Sequence, residues 1–400
     1  VAPQIPPQIP RQLADRHTRR LRRPATERTP EFDLSYARTG PRASTPVVVI
    51  PGGPGLGSLL PYLGFRRRAA QGGLDVIMVE HRGVGFSRAD LRGRDLPASA
   101  MRISDVIDDI AAVLDHEGID QAHIVGASYG TYLASAFGAR YPERVAGMLL
   151  DSALQSAESL NLERRTVREL FWHGDTATAE AVHALIDRGV DSRILLDVAR
   201  AAYELGGDEL LLPVLRQRAN HAHTAAWSAL QLYATRDRSI ARLPGIYEFD
   251  LAGVIGFREL GYGGTPDGLP LDPALTYSEI ADLFPAFAGE PFDLAAETPT
   301  FTWPLVLLVG TRDLRTPPPI ARAVAATAQD AVLVHIENGH SALESHPLAL
   351  LNAIRALVRG RAHALPGASA HLNRLPRRGL AARIPELLGA ATLIESTVRP

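Results

Sequence analysis

The stretch HIVGASYGTYLASAF, residues 123–137, passes from an apolar run through Gly126, Ser128 and Gly130 into small and apolar residues at helical spacing. Residues 126–130 match the G-x-S-x-G pattern, a turn so tight that the positions two before and two after the serine must be small. Such a turn lifts the serine hydroxyl above the carboxyl end of a buried strand and aims the next helix N-terminus at it, where developing negative charge is stabilised. The plain alternative is a small-residue strand-to-helix turn without chemistry; the strand, turn and helix context favours the chemical reading.

Outward from this turn, short apolar runs bounded by turn residues alternate with helix-like segments, which predicts a mostly parallel sheet with helices on both faces. FDLSYARTG (32–40) alternates like a half-exposed strand, while PVVVI (46–50), LDVIMVE (74–80), AHIVGA (122–127) and VAGMLLD (145–151) read as buried strands. SDVIDDIAAVLDHEG (104–118) predicts a helix from its Ser cap, early acids and terminal glycine. The strand rhythm stops over residues 152–300, where amphipathic segments predict an inserted helical cap. It resumes with WPLVLLVG (303–310) and DAVLVHIENG (330–339), and ALESHPLALLNAIRALVRG reads as one closing helix. The expected organisation is a core of residues 31–151 and 301–360, the cap, and a C-terminal extension over 361–400 with a short helix in GLAARIPELLGAATLIES.

With 400 residues, 46% of them hydrophobic, the chain can bury a large core plus a smaller subdomain. Forty-two basic and 44 acidic residues give a net charge of −2, so nothing electrostatic favours nucleic acid or an anionic membrane, and a small-molecule or short-peptide substrate is the expected partner. Absence of cysteine removes disulfides, thiolate metal sites and thiol nucleophiles. No run reaches the 18 or more apolar residues of a membrane span. Residues 1–30, rich in Pro and Arg, read as a flexible arm; no apolar segment follows the Arg19–Arg20 pair as a secretory signal requires. A cytoplasmic location is therefore expected, with the start at Val1 leaving a processed leader open.

A serine hydroxyl is a weak nucleophile and needs a base, which in turn needs a group to hold its tautomer. His340, in ENGHSAL, stands just past the last strand; Asp313, in VLLVGTRDLRTPP, stands three residues past the preceding one. The order Ser, Asp, His suits this architecture. Among 13 histidines, His335 falls inside a strand and His346 inside the next helix, so both fit the base less well than His340. Asp151, which also ends a strand, is the rival acid. Gly52, Gly53 and Gly55 follow the second strand, where missing side chains let N–H groups approach a reacting carbonyl; Gly53 and Tyr129 are the expected oxyanion donors. A phosphate-binding loop would need a Gly-Lys-Ser/Thr ending, which is missing. This chemistry requires no metal and no organic cofactor.

PGGPG (51–55), EHRGVGFSR (80–88), GASYG (126–130), GTRDLRTPP (310–318) and NGH (338–340) together resemble the α/β-hydrolase family that contains proline iminopeptidases and tripeptidyl aminopeptidases. The resemblance covers roughly residues 32–360 and implies an α/β-hydrolase fold, a cap in the insertion and a serine peptidase acting at a free peptide N-terminus, or a relative acting on esters or amides. Pro51 replaces the histidine that usually begins the iminopeptidase glycine loop, and Tyr129 stands where tryptophan is usual. The resemblance further implies cap carboxylates that hold the substrate ammonium, because an unpaired charge in an enclosed pocket is costly. Glu259, Glu248 and Asp250 are the candidates; solvated helix charges are the plain alternative. A carboxylesterase or amidase is the competing enzyme, and a non-catalytic binding protein on the same scaffold the remote one.

Overall fold

The computed structural model describes residue 9 and residues 11–221, 224–235, 242–377, 384 and 387–389. Its strands are β1 (Thr18–Arg23), β2 (Phe32–Thr39), β3 (Val47–Ile50), β4 (Val76–Val79), β5 (Ala122–Ala127), β6 (Val145–Asp151), β7 (Arg242–Leu243), β8 (Tyr247–Glu248), β9 (Leu305–Gly310) and β10 (Ala331–Ile336). Among the described residues, eight of these form one sheet in the order β1-β2-β4-β3-β5-β6-β9-β10, and β7 with β8 makes a separate ribbon. Pairing is parallel from β4 across to β10 and antiparallel for β1–β2 and β2–β4. Helices α1 (Leu63–Gln71), α2 (Ile103–His116) and α3 (Tyr129–Arg140) link the first strands. Between β6 and β9 lie α4 (Ser159–Phe171), α5 (Ala177–Asp187), α6 (Ser192–Asn220), α7 (Ala225–Thr235), α8 (Phe249–Leu260) and α9 (Leu294–Glu297). After β9 come α10 (Pro318–Thr327), α11 (Ala342–Ser345), α12 (Pro347–Val358) and α13 (Ser369–Arg374).

The apolar runs of the central strands are continuous because both faces of the sheet are covered: every position of β3 and β5 is buried, and all but one in each of β4 and β6. Val48, Ile50 and Ile124 pack with Tyr132, Leu133 and Phe137 of α3 on one face. Val47, Val49 and Val125, alternate residues on the same strands, pack with Leu350 and Ile354 of α12 on the other. Helices α4 to α7 have a core of their own, centred on Phe171, Leu195, Leu211 and Trp227, while Val254 and Ile255 of α8 and Leu294 of α9 join the core of the sheet. In α6 the helical path breaks at Gly207, whose φ of 65° no β-carbon-bearing residue adopts readily.

Three expectations are corrected. The arm over residues 1–30 is not free along its whole length: residues 18–23 form β1 and pair with Phe32 to Ala37 of β2. Its arginines hold it there, Arg23 Nε lying 2.9 Å from Asp109 Oδ1 and Arg19 Nη1 2.7 Å from Glu117 Oε1 on the far side of the sheet edge. Strand β2 is consequently buried along nearly its whole length rather than half exposed. Its polar residues find buried partners: Arg38 pairs with Asp75 at 2.6 Å and Tyr36 donates to Glu117 at 2.7 Å. The single closing helix is two, because Pro347 disfavours helical geometry at His346 (φ −142°) and starts α12 afresh. The helix expected in the tail lies mostly outside the described residues.

Candidate active site

Ser128 sits between β5 and α3 with φ 52° and ψ −122°, a conformation that costs a non-glycine residue about 1–3 kcal/mol and persists only where its surroundings over-determine it. They do. A β-carbon on Gly126 would lie 2.2 Å from the Gly130 carbonyl oxygen, and one on Gly130 would lie 2.2 Å from that of Ile50. The elbow is then clamped by hydrogen bonds: Ser128 N–H donates to Asp151 O at 2.9 Å, and Thr131 Oγ1 donates to Ser128 O and accepts Leu154 N–H at 2.7 Å. Since the Ile50 and Gly130 backbones cannot swing aside, Gly130→Ala is expected to lower stability by about 1–3 kcal/mol, read as a lower urea midpoint at unchanged slope.

His340 comes from the loop after β10 and Asp313 from the loop after β9. His340 Nε2 lies 2.8 Å from Ser128 Oγ, and His340 Nδ1 lies 3.0 and 3.1 Å from the two oxygens of Asp313. The Asp313 carboxylate also accepts the N–H of Arg315 at 3.0 Å and the N–H and hydroxyl of Thr316 at 2.9 and 2.8 Å. Burial alone would raise the Asp313 carboxyl, but the facing imidazole and these donors hold it below the ordinary carboxylate value. Burial alone would lower His340; the Asp313 charge outweighs it and leaves the imidazole above its ordinary value.

The rival acid does different work. Asp151 accepts the N–H groups of Ala342 and Leu343 at 3.0 and 2.9 Å and so caps α11, with burial pushing its carboxyl up to about 6. That cap, with the Ser341 N–H donated to Ser152 Oγ at 2.9 Å, fixes the turn carrying His340. His335 is exposed on β10, and His346 is held at Leu372 O with burial pushing it down to about 4.

Above Ser128 and His340 opens a cleft of about 160 Å³, floored by these two and Gly53 and roofed by Leu160 and Glu163 of α4 and Arg200 of α6. Tyr262 and Tyr277, stacked with centroids 5.1 Å apart, close one side, and the Tyr262 hydroxyl donates to Gly53 O at 3.2 Å. Tyr129 is buried, its hydroxyl 3.1 Å from His81 Nε2, while its backbone opens α3 beside the serine.

None of the three carboxylates expected to meet a substrate amine lines this cleft. Glu259 accepts the Ile103 N–H at 2.8 Å and caps α2; Glu248 accepts N–H groups of Gly85 and Gly245; Asp250 pairs with Arg88 at 2.7 Å. Each is committed to holding segments together, which corrects that expectation. The carboxylate that does face the cleft is Glu163, missed in the sequence because an acid in an amphipathic helix carries no local signal of direction. Burial, and secondarily the Asp313 charge, push its carboxyl up to about 8 against the opposing Arg200, His340 and Arg315.

A family model described as alpha/beta hydrolase fold matches residues 45–347, about three quarters of the chain. The chain belongs to the α/β-hydrolase fold family. This α/β hydrolase is 31% identical over 113 residues to a proline iminopeptidase of Heyndrickxia coagulans, which is 28% of this chain and 36% of that protein. It is 33% identical over 128 residues to a 2-hydroxy-6-oxononadienedioate/2-hydroxy-6-oxononatrienedioate hydrolase of Paraburkholderia phymatum, 30% of this chain and 40% of that one. The α/β hydrolase thus spans well under half the length of these curated relatives. The crystal structure of a proline iminopeptidase from Mycobacterium smegmatis covers 86% of the chain and 99% of its own, with TM-score 0.53 and 16% identity, a likeness of fold. Among the described residues, no helix is long and apolar enough to cross a membrane, and no group of three or more His, Asp or Glu could hold a metal ion.

Proposed function

We propose that this α/β hydrolase is a serine hydrolase working through an acyl-enzyme, and that it acts as an aminopeptidase on small substrates. What carries the reading is the unbroken series of contacts Ser128–His340–Asp313 at 2.8 and 3.0 Å. Ser128 Oγ attacks the substrate carbonyl carbon while its proton passes to His340 Nε2; Asp313 holds Nδ1–H and stabilises the imidazolium. The N–H groups of Gly53 and Tyr129 receive the oxyanion. Collapse of the tetrahedral adduct breaks the bond to the leaving group, which takes the proton from His340. Water, deprotonated by the same imidazole, then releases the acyl group and restores the serine.

The aminopeptidase part rests on Glu163. An arriving ammonium would ionise this carboxyl and gain a charge-assisted hydrogen bond in a site of low dielectric. Glu163→Gln is therefore expected to reduce the kcat/KM preference for free-amine over N-acetylated aminoacyl amides by about 10–100-fold. In the native protein that preference should grow as pH rises toward about 8, where Glu163 loses its proton. A fluorophosphonate probe tests the nucleophile by labelling Ser128. Turnover indifferent to N-acetylation would discard the aminopeptidase in favour of the carboxylesterase or amidase, and an unlabelled Ser128 would discard both.

A further inference from the structure

Arg200 lines the cleft and has no part in the acyl-transfer chemistry. It is 11% exposed, yet the hydrogen bonds it makes among the described residues are long ones, to Thr276 Oγ1 at 3.4 Å and Asp197 Oδ1 at 3.5 Å. Other enclosed arginines of this chain are held far more closely. Arg82 meets both oxygens of Asp109 at 2.8 Å, and Arg168 both of Asp267 at 2.7 Å. A guanidinium taken out of water needs short, directed acceptors, and a planar fork is matched best by a carboxylate. Around Arg200 that short acceptor is not supplied by the described protein atoms.

The charges facing it favour an incoming anion. Arg315, from the loop after β9, lines the same cleft. Burial first, and the like charge of Arg315 second, pull Arg200 below its ordinary value. Of the acids nearby, Glu204 is drawn to Arg315 Nε at 3.5 Å and accepts the Leu314 N–H at 3.2 Å. Asp313 is committed to His340 and Thr316. Glu163, with its carboxyl at about 8, is mostly neutral at pH 7 until an ammonium arrives. A dianion such as phosphate would meet Asp313 and Glu204 at close quarters, whereas a single carboxylate matches one fork.

We infer that Arg200 receives a carboxylate of the substrate, so that with Glu163 at the amine the cleft selects short peptides that are zwitterionic across it. The inference rests on the serine-hydrolase reading above. The carboxylate is either the C-terminus of a dipeptide or an acidic side chain on the leaving residue, and matched substrates separate the two. Ala-Ala is compared with Ala-Ala-amide, and Ala-Glu-amide with Ala-Gln-amide, by kcat/KM at pH 7.

The acid member of one pair is expected to be preferred by about 10–100-fold, the range a charge-assisted hydrogen bond supplies. Arg200→Gln should bring that ratio to within about threefold of unity and Arg200→Lys should keep part of it, because lysine retains the charge but not the fork. The same pairs used as protectants against fluorophosphonate labelling report binding without turnover, and the native protein's own ratios decide if the Gln variant does not fold. Native Ser128 that is labelled but shows no acid preference in either pair, or a Gln variant that keeps the preference, overturns the carboxylate site alone. Failure of the native protein to be labelled overturns the serine-hydrolase reading, and this inference with it.

Discussion

Replacing Ser128 by alanine is expected to lower kcat/KM by about a million-fold, the scale lost when the nucleophile is removed from a working triad. The mutation takes away one oxygen that lies 2.8 Å from His340 Nε2. The elbow itself should persist, because its shape comes from the contact of Gly126 and Gly130 with backbone oxygens and from the Thr131 clamp. Unfolding free energies of native and variant proteins should therefore agree to within about 1 kcal/mol. Residual turnover, about a thousandfold or more above water, would reflect the oxyanion donors and substrate binding. Active-site titration with the fluorophosphonate and intact mass measurement check the prediction. A variant keeping more than about one part in a hundred of the native rate, well above that residue, would move the nucleophile elsewhere.

Asp313→Asn should cost about ten-thousand-fold in kcat, since an amide near Nδ1 favours the wrong tautomer of the base. The pH profile gives a second, independent signature. In the proposed mechanism His340 is a base only when neutral, so kcat/KM is expected to rise with pH through the folded value of its pKa, which in the native protein is shifted above the ordinary imidazole one. Removing the Asp313 charge leaves burial, which lowers the imidazole, so the rise should move to lower pH in the variant. The linkage to stability has a definite sign. A histidine whose pKa is raised on folding stabilises the native state below its unfolded value, about 6.5. That contribution disappears as pH climbs through the folded value. Stopped-assay kinetics between pH 5 and 9 and urea titrations at the two ends measure both effects. A profile unchanged in the Asn variant would hand the acid's role to another group; Asp151 is committed to the cap of α11 by two N–H bonds.

How far the site could be read in the chain depended on whether a local rule governs the residue. Ser128, Asp313 and His340 each stand one to four residues past a strand end, and parallel strands deliver their carboxyl ends to one edge, so sequence position already implied spatial convergence. Asp151 also ends a strand, and nothing local separates it from Asp313; in the fold the first N–H groups of α11 turn onto Asp151 while His340 meets Asp313. No comparable rule operates between β6 and β9. Glu248, Asp250 and Glu259 lie near one another in sequence around the start and end of α8, yet they serve the Gly85 loop, Arg88 and the N-terminus of α2. Glu163 and Arg200, 37 residues apart on different helices, share the cleft.

The N-terminal segment makes the same point. Its arginines look like those of a solvated arm until their partners are known, and Asp109 is 86 residues from Arg23 in the chain. An ion pair across that distance has no periodicity for a sequence to display.

What the amino-acid sequence determined by itself was the doubly covered parallel sheet, through apolar runs of strand length, and the glycine-flanked serine turn, through a pattern of small residues confined to five consecutive positions. Both are written in short stretches of the chain, although the backbone that Gly130 must clear belongs to the distant Ile50. The choice of carboxylate that meets His340, the docking of β1 and the charges that roof the cleft were decided by tertiary structure alone, because a charged side chain is stabilised by whichever opposite charge or N–H the fold brings within about 3 Å, and that partner can come from anywhere in the chain.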